Sequence, residues 1–435
     1  MPNLFISGRR IAIAWLLLAL LSQTVINSIV NIAPFEKVLF VMLFLFSSTL
    51  LLFKQRMKTY DFYLSALISC FIGIISSINY PERLHLALLQ SLFTYSFFLY
   101  LFMFNMIRMK NKDINFVILT VLYFSAFTAF IGVLEFSFPS IIGPALRLLQ
   151  NENVTLALSR GEWNGITSVF WHPGSFAWFC GVGFVISLSL YIKQKKKLYA
   201  FFSILIFIAL ILTLRRKTII AVICTSVVIF WVSSKKPTQF FKKLLLPVIL
   251  ISVVISINVE KFEFLISDTF ERYLVNSNEY GGPRVQLTRT SFEIANNNFP
   301  LGAGLGNFGS YISSEYYSPV YTEYGINGLF GLSEDDGNYL TDTFWPMLIG
   351  EVGYLGTMLY FISIVLVGRC VFNHRHRLEP ADGVYLIALG LFFMTFIESI
   401  STPTFSKSPN NIYLAFFVSI LINSARDNKI ENTES

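Results

Sequence analysis

Charged side chains are scarce in this sequence: Lys, Arg, Asp and Glu make up 14% of its 435 residues, whereas hydrophobic residues make up 54%. A soluble domain carries about 25% charged residues, so the composition excludes an ordinary soluble fold and indicates a surface that faces lipid. Cysteine is scarce as well, and all four cysteines lie in or beside apolar runs: Cys70, Cys180, Cys224 and Cys370. No pair of them indicates a disulfide or a metal site, and we interpret them as small packing residues.

Long apolar runs, by contrast, are abundant. About 20 residues of helix cross the hydrocarbon core of a bilayer. The sequence therefore predicts an all-α polytopic membrane protein in which residues 1–435 form a single transmembrane domain. About twelve spanning helices are expected, at 11–30, 35–53, 62–78, 84–107, 114–138, 174–192, 198–214, 218–233, 244–259, 344–367, 383–401 and 410–424. Only Arg215-Arg216-Lys217 separates the short runs 198–214 and 218–233, so one broken span is the alternative there.

The basic residues indicate how these helices are oriented. If the N-terminus is cytoplasmic, 21 of the 33 Lys and Arg fall in cytoplasmic segments, although these segments are shorter in total than the outer ones. This is the positive-inside bias, and it predicts that both termini are cytoplasmic. The net charge of +7 follows from this topology and is no argument for nucleic acid. The first run leads directly into a second, so we expect a retained helix and not a cleaved signal.

Two long loops fall on the outer side of this topology, at 139–173 and at 260–343. Loops of this length are uncommon unless they are functional or disordered, and their many aromatic residues argue against disorder. The ionisable residues Glu135, Glu351 and Glu398 lie toward the outer ends of their predicted spans. They indicate either a cavity that is open to the outside or carboxylates paired near the interface.

An arginine stands in the first turn of a helix predicted to follow Gly282. Pro283 suits the first helical position, which puts Arg284 where the helix dipole disfavours a cation. Arg289 has an ordinary partner in Glu293 one turn on, whereas no acidic residue stands at that spacing from Arg284. We therefore predict that Arg284 binds an anionic ligand.

Arg215-Arg216-Lys217 is a second basic cluster, and it runs against the positive-inside bias because it falls on the outer side. It is either an anchor for two short helices or a docking point for lipid phosphate, since a planar guanidinium can hold a phosphate through two hydrogen bonds. His172 precedes Pro173 at the start of another span. This histidine is either a cap of the helix or a general base near neutral pH.

Two further motifs lie in the second long loop. The glycine-rich segment 299–309 superficially resembles a dinucleotide loop, but no apolar strand precedes it. It is either a structural turn or a backbone that approaches a ligand closely. The acidic residues Glu334-Asp335-Asp336 and Asp342 are a solvated turn, a divalent-cation site or a source of a base for a sugar hydroxyl.

Taken in order, these motifs resemble a known family. His-Pro at 172–173 precedes a span, arginines follow at an outer turn, and Arg284 precedes Phe-Pro-Leu-Gly-Ala-Gly-Leu-Gly-Asn-Phe at 299–308. Asn338-Tyr339-Leu340 and Gly-Glu-Val-Gly-Tyr-Leu-Gly at 350–356 come next. This arrangement resembles the O-antigen polymerase and O-antigen ligase superfamily of bacterial inner-membrane glycosyltransferases. The motifs cover residues 160–360, and the rest of the chain agrees in layout only.

The resemblance implies a membrane-embedded glycosyltransferase of the GT-C type, with both long loops periplasmic and the second one containing short helices. Its substrates are oligosaccharides on undecaprenyl pyrophosphate, so neither a cofactor nor a metal ion is expected. Its partners are membrane lipids and, in the same pathway, a chain-length regulator and a flippase. It implies Arg284, His172, Asp336 and Glu351 as catalytic residues, and as ligands of the pyrophosphate or glycan Arg215, Arg216, Arg289, Arg160, Asn338 and Tyr339.

Polymerase and ligase differ in the acceptor that they use. Ligases of this superfamily typically have histidine immediately before the Asn of the late-loop motif, where this chain has Gly337. The ligase base is thus absent, and Asp335 and Asp336 stand just upstream, so we favour the polymerase. Three alternatives remain: the ligase, a flippase or other transporter of lipid-linked glycans, and a structural subunit of an assembly complex. A flippase requires a polar central cavity, which the nearly apolar spans do not indicate.

Overall fold

The computed structural model describes residues 2–29, 37–38, 40–42, 44–45, 47–48, 60–107, 109, 111–149, 159–160, 163–234, 236, 282–374 and 383–434. The helices in these ranges are α1 (Pro2–Leu21), α2 (Ile26–Ile29), α3 (Asp61–Ser76), α4 (Leu84–Thr94), α5 (Ser96–Asn105), α6 (Asn111–Ser137), α7 (Pro139–Leu149), α8 (Pro173–Gln194), α9 (Lys197–Leu212), α10 (Arg216–Val232), α11 (Pro283–Asn297), α12 (Tyr311–Glu315), α13 (Val320–Glu323), α14 (Trp345–Asn373), α15 (Val384–Glu398) and α16 (Asn410–Glu434). Two 3₁₀ turns, Ser77–Asn79 and Pro81–Arg83, connect α3 to α4. A hairpin pairs β1 (Ser159–Arg160) with β2 (Trp163–Asn164) in antiparallel register.

The structure confirms an all-α membrane protein. Four helical segments in the described ranges are long and apolar enough to cross a bilayer: Asp61–Asn79, Asn111–Ser137, Pro173–Gln194 and Trp345–Asn373. A fifth is added if Pro81–Thr94 and Ser96–Asn105, which are bent by 55° at their junction, form one span. The count of about twelve stays a prediction. The predicted span 244–259, most of 35–53 and the first part of the loop 260–343 lie outside the described residues.

The two short runs around Arg215 are separate helices that run in opposite directions. Helices α8 and α9 form an antiparallel hairpin across Lys195-Lys196, because His172 before α8 contacts Arg215 after α9. Helix α10 begins at that same end and runs parallel to α8, since Gly181 packs against Val222. The chain therefore reverses between α9 and α10, which disfavours the alternative of one broken span.

Helices α3 and α14 pack closely against each other. The Ser69 hydroxyl donates to the carbonyl of Gly356 at 2.7 Å, and the Ser65 hydroxyl donates to the carbonyl of Leu359 at 2.8 Å. Such contacts between helices require small residues at the interface. Gly356 lies at this interface, where a Cβ would be 3.4 Å from Cγ2 of Ile72, whereas Gly350 and Gly353 pack against the glycine-rich segment.

The loops that the charge bias puts on the outer side meet at one end of the structure. Asn79 bonds Asn298 across two of them, and the Trp345 indole donates to the Ser399 hydroxyl at 3.2 Å across two others. Lys217 likewise donates to Thr402. The alternation of the helices thus agrees with the predicted topology, whereas the side of the membrane on which this end lies stays a prediction.

Candidate functional site

Basic side chains from separate parts of the chain converge at this end, where the charges of Arg284 and Arg215 both act on Lys217. Arg215 lies in the turn between α9 and α10, and Arg216 and Lys217 are the first two residues of α10. The first turn of α10 contains no acidic residue. Cations at a helix N-terminus oppose the helix dipole. These residues therefore do not stabilise the helix that they begin, and their position is better explained by what they face.

Arg284 occupies the equivalent position in α11. As predicted, Pro283 is at the first helical position, and the first turn contains no acidic residue. One guanidinium nitrogen of Arg284 lies 2.8 Å from Oδ2 of Asp342, which stands just before α14. The side chains of Arg284 and Asp342 are 39% and 35% exposed. The pair therefore lies where a solvent-borne ligand can reach it.

His172 caps α8 and faces Arg215. Its Nδ1 accepts the N–H of Gly174 at 2.9 Å, and its Nε2 lies 3.0 Å from Nη2 of Arg215. Burial first, and then the positive charges of Arg215, Lys407 and Lys217, lower the pKa of His172 to about 4. The imidazole is therefore neutral at neutral pH.

Two N–H donors, from Gly174 and Arg215, thus face an imidazole that has a single acceptor nitrogen. An arginine only donates, and a neutral imidazole accepts at one nitrogen alone. His172 therefore cannot accept from both Gly174 and Arg215. If Nδ1 accepts from Gly174, as the cap requires, Nε2 carries the proton and faces the Arg215 guanidinium. An anionic oxygen beside these two nitrogens, within reach of both, would accept a hydrogen bond from each.

The loop 399–409 also reaches this cluster, and sequence reasoning missed it. Lys217 donates to the Thr402 hydroxyl. The charges of Asp342 and Arg215 act on Lys407. The side chain of Lys407 is exposed, and the protein around it still lowers its pKa by desolvation. One signal was available: Lys407, like Arg215, is one of the 12 Lys and Arg that fall outside the predicted cytoplasmic segments. Exposure within surrounding protein indicates a recess that is open to solvent.

The carboxylates of the spans have separate partners and do not line one cavity. Glu135 accepts the N–H groups of Thr167 and Ser168 at 3.1 and 2.7 Å. Glu398 is 3% exposed and lies beside Thr218 and Lys217. Of the three, Glu398 alone borders the basic cluster.

Glu351 holds the glycine-rich segment in place. Its Oε1 accepts the N–H groups of Gly306 and Phe308 at 2.8 and 3.4 Å, and its side chain is 0% exposed. Gly353, with φ of 70°, interrupts α14 where the segment packs against it. The segment is thus a structural turn. The catalytic role of Glu351 stays a prediction, and its contacts favour a structural role.

Arg83 is a second anchor of this segment, and sequence reasoning missed it too. Its Nε donates to Oδ1 of Asn307 at 2.8 Å, and its Nη2 donates to the carbonyls of Gly306 and Tyr316 at 3.1 and 2.7 Å. Hydrogen bonds from a charged donor are worth about 1.5–3 kcal/mol each. An arginine on an outer turn, against the charge bias, was again the available signal.

The predicted glycan-binding residues lie on an exposed stretch that leads to Asp342. Oδ1 of Asp336 accepts from the Asn338 amide. Tyr339 is 38% exposed, and its ring centroid lies 6.0 Å from that of Phe330, which is 75% exposed. The N–H of Asp342 donates to the Tyr339 carbonyl at 3.1 Å. An acidic group and an accessible aromatic surface are thus continuous with the Arg284 pair.

Arg160 lies in β1, and its side chain falls outside the described residues. Arg216 is the first residue of α10, beside Arg215. Within the described ranges, no group of three or more His, Cys, Asp and Glu side chains is arranged to hold a metal ion. The guanidinium and ammonium groups of the basic cluster are suited to binding anionic oxygen.

Arg289 pairs with Glu293, the ordinary alternative. Its Nε lies 3.3 Å from Oε1 of Glu293, and the two side chains are 76% and 48% exposed. Exposed pairs of this kind contribute about 0.3–0.5 kcal/mol. We expect Arg289→Gln to leave the glycan-transfer activity that the resemblance implies within about twofold of wild type, measured per folded protein. A loss of activity as large as that of an Arg284 variant would show that Arg289 belongs to the site.

Comparison with known proteins agrees with the resemblance noted in the sequence. A family model described as O-Antigen ligase matches residues 201–330. That range contains Arg215, Arg216, Arg284 and the glycine-rich segment, and it ends before Asp336. No curated protein matches the chain. The match supports a function of the ligase or polymerase type in general, and it supports the resemblance of this multi-pass membrane protein to the O-antigen polymerase and O-antigen ligase superfamily.

Proposed function

We propose that this protein is a polymerase of O-antigen or a related surface polysaccharide. It transfers a growing glycan from undecaprenyl pyrophosphate to the non-reducing-end sugar of a lipid-linked repeat unit. In this proposal it is a GT-C type enzyme of the bacterial inner membrane, with both termini cytoplasmic and the basic cluster on the periplasmic face.

The convergence of Arg215, Arg284 and His172 carries this proposal. These residues belong to three segments, and a cluster of cations costs free energy because like charges repel. A ligand with several anionic oxygens offsets that cost. The pyrophosphate of a lipid carrier has such oxygens at the depth where the outer ends of the helices meet.

The cations act on the leaving group. As the bond between the anomeric carbon and the phosphate oxygen breaks, negative charge grows on the pyrophosphate. Preorganised donors aimed at developing charge are usually the largest contribution to catalysis. Arg284 supplies one such donor. Arg215 and the Nε2–H of His172 supply two more to a shared oxygen, so we assign His172 to binding this oxygen and not to the role of general base.

The acceptor hydroxyl must lose a proton when its oxygen attacks the anomeric carbon. We assign that proton to Asp336, whose carboxylate lies on the exposed stretch leading to Asp342. One carbon–oxygen bond forms and one breaks, the carboxylate takes the proton, and undecaprenyl pyrophosphate departs. Tyr339 and Asn338 would bind the glycan beside this carboxylate, because aromatic faces and amides are suited to sugar rings.

Gly337 favours the polymerase over the ligase. A Cβ at this position would lie 2.9 Å from Cδ1 of Leu340, which is closer than side chains normally approach. A histidine, the residue typical of ligases here, would require Leu340 to move. The ligase remains the alternative function of the same class.

Deletion of the gene, followed by electrophoresis of the surface glycan, tests this proposal. Loss of a polymerase should leave the lipid core capped with a single repeat unit. Bare core with full-length chains stranded on the carrier lipid would instead identify a ligase. Single units trapped on the cytoplasmic face would identify a flippase.

An Asp336→Asn variant tests the assignment of the base. We expect complementation with this variant to leave mainly single-repeat glycan, because the amide cannot accept the hydroxyl proton at neutral pH. Asp335→Asn is the matched control, since Asp335 is an exposed neighbour of the same type. Equal polymer from both variants would exclude Asp336 as the base.

A further inference from the structure

We propose that the C-terminal half of α11 is anchored in the headgroup layer of the bilayer, with Phe292 and Phe299 inserted at the boundary between headgroups and acyl chains. The predicted outer loop 260–343 is thus held against the membrane surface at this helix and is not free in solvent there. The inference is independent of the proposed function, because it concerns where α11 lies and no step of a reaction.

The depth of α11 follows from α14, the spanning helix that it packs against. Helix α14 bends sharply at Gly353, since the rings of Trp345 and Phe361 lie 5.7 Å apart, whereas a straight helix would separate these residues by about 24 Å. The part after the bend, Tyr354–Asn373, contains about 20 residues and is about 30 Å long, which is the thickness of the hydrocarbon core. Basic residues that the charge bias puts on the cytoplasmic side lie at its other end. Tyr354 therefore lies at the opposite boundary of the core.

Tyr354 also begins a face of α14 that is exposed to lipid. Met358 and Val365 follow it at spacings that put them on the same side of a helix. Their side chains are 55% and 47% exposed. Apolar side chains exposed along a spanning helix face acyl chains, because there is no water at that depth. Tyrosine is enriched where such faces meet the headgroups, so Tyr354 marks the depth of the interface.

Two phenylalanines of the outer loop contact Tyr354 at this depth. The rings of Phe292 in α11 and of Phe299 just after it each lie 6.4 Å from the ring of Tyr354. The Tyr354 hydroxyl donates to Oδ1 of Asn296 at 2.8 Å. Phe292 and Phe299 are nevertheless 43% and 72% exposed. The exposed apolar surface of α11 thus continues the lipid-facing surface of α14, and the same lipid covers both.

The charged residues of α11 limit how deeply it lies. Arg289 is three residues before Phe292 and therefore adjoins it on the helix surface. Arg289 pairs with Glu293, and their side chains are 76% and 48% exposed. Charged groups are costly among acyl chains, whereas a face that combines aromatic and charged residues suits the headgroup layer. The helix therefore lies at the interface and not within the hydrocarbon core.

Fluorescence quenching by nitroxide-labelled lipids tests this inference. The full-length protein is placed in phosphatidylcholine nanodiscs, with the fluorescent amino acid acridonylalanine in place of Phe299. Separate nanodiscs carry the nitroxide on the headgroup, near the top of the acyl chain or near its end. We expect the quenching profile to place the label about 5–10 Å into the boundary between headgroups and acyl chains.

Phe330 offers the matched control for this label. It is 75% exposed in the same outer loop, and its ring contacts that of Tyr339 and not a spanning helix. A label in its place should not be quenched by any of the three lipids. If the label at Phe299 is quenched no more than the one at Phe330, that surface faces water or another protein and the inference is wrong. Strongest quenching by the nitroxide at the chain end would also overturn it, because α11 would then lie inside the hydrocarbon core.

A second variant tests whether Phe299 is part of the anchor. With the label in place of Phe292, Phe299→Ser should shift the quenching profile toward the aqueous side, whereas Phe330→Ser should leave it unchanged. Equal elution volumes in size-exclusion chromatography show that both variants are folded. An unchanged profile in Phe299→Ser would show that Phe299 does not hold the helix at the membrane.

Discussion

An Arg284→Gln protein is expected to lose polymerisation by at least about 100-fold, because removal of one donor to developing charge typically costs 10²–10³ in turnover. The bond to Asp342, at 2.8 Å, fixes the direction of the guanidinium before substrate arrives. Glutamine retains hydrogen-bonding capacity but removes the charge. The surface glycan of a complemented deletion strain should collapse from a ladder of chain lengths to a single repeat.

The same helix offers the control for this experiment. Arg289→Gln removes an exposed cation one to two turns along α11 and should leave the ladder unchanged. Arg284→Lys keeps the charge but not the two-pronged donor, so an intermediate ladder is expected. Normal chain lengths from Arg284→Gln, at an expression level equal to that of Arg289→Gln, would show that Arg284 takes no part in catalysis.

A Gly353→Ala protein is expected not to fold. Gly353 has φ of 70° and ψ of −173°, a region that only glycine occupies readily. A Cβ there would also lie 2.2 Å from the carbonyl carbon of Leu301. Backbone strain alone costs about 1–3 kcal/mol, and this overlap with main-chain atoms adds to it. Size-exclusion chromatography of a fluorescent fusion should show aggregate and little monodisperse protein.

Gly328→Ala is the control for that substitution. Gly328 lies in the same outer loop, and a Cβ at its position would meet nothing within 4 Å. It should elute as wild type does. If Gly353→Ala also elutes as a single folded species with wild-type thermal stability, then the packing of the glycine-rich segment into the break of α14 is not required for the fold.

The helices could be predicted from the sequence to within a few residues where an apolar run is long. The run 114–138 became Asn111–Ser137, and the run 174–192 became Pro173–Gln194. The reversal after α9 could not be predicted in this way. It depends on Leu214, whose φ is 57°, and neither a leucine nor the basic residues after it distinguish a reversal from a kink.

The candidate site could be predicted only in part, because its contacts join residues that are distant along the chain. The spacing within α11 drew attention to Arg284, but its partner Asp342 lies 58 residues away. The position of Lys407 could not be predicted for the same reason, since Asp342 and Arg215, whose charges act on it, are distant along the chain. Glu351 was chosen because a carboxylate in a span is costly. The sequence did not reveal that backbone N–H groups of a folded-over segment satisfy this carboxylate.

The position of the loop 399–409 near the end of the chain has a consequence for biosynthesis. Helices enter the membrane in the order in which the ribosome makes them, and His172, Arg215 and Arg284 are all made well before Thr402 and Lys407. A nascent chain that lacks α15 and α16 thus carries an incomplete recess. Chains truncated before residue 399 should therefore bind carrier lipid more weakly than the full chain does.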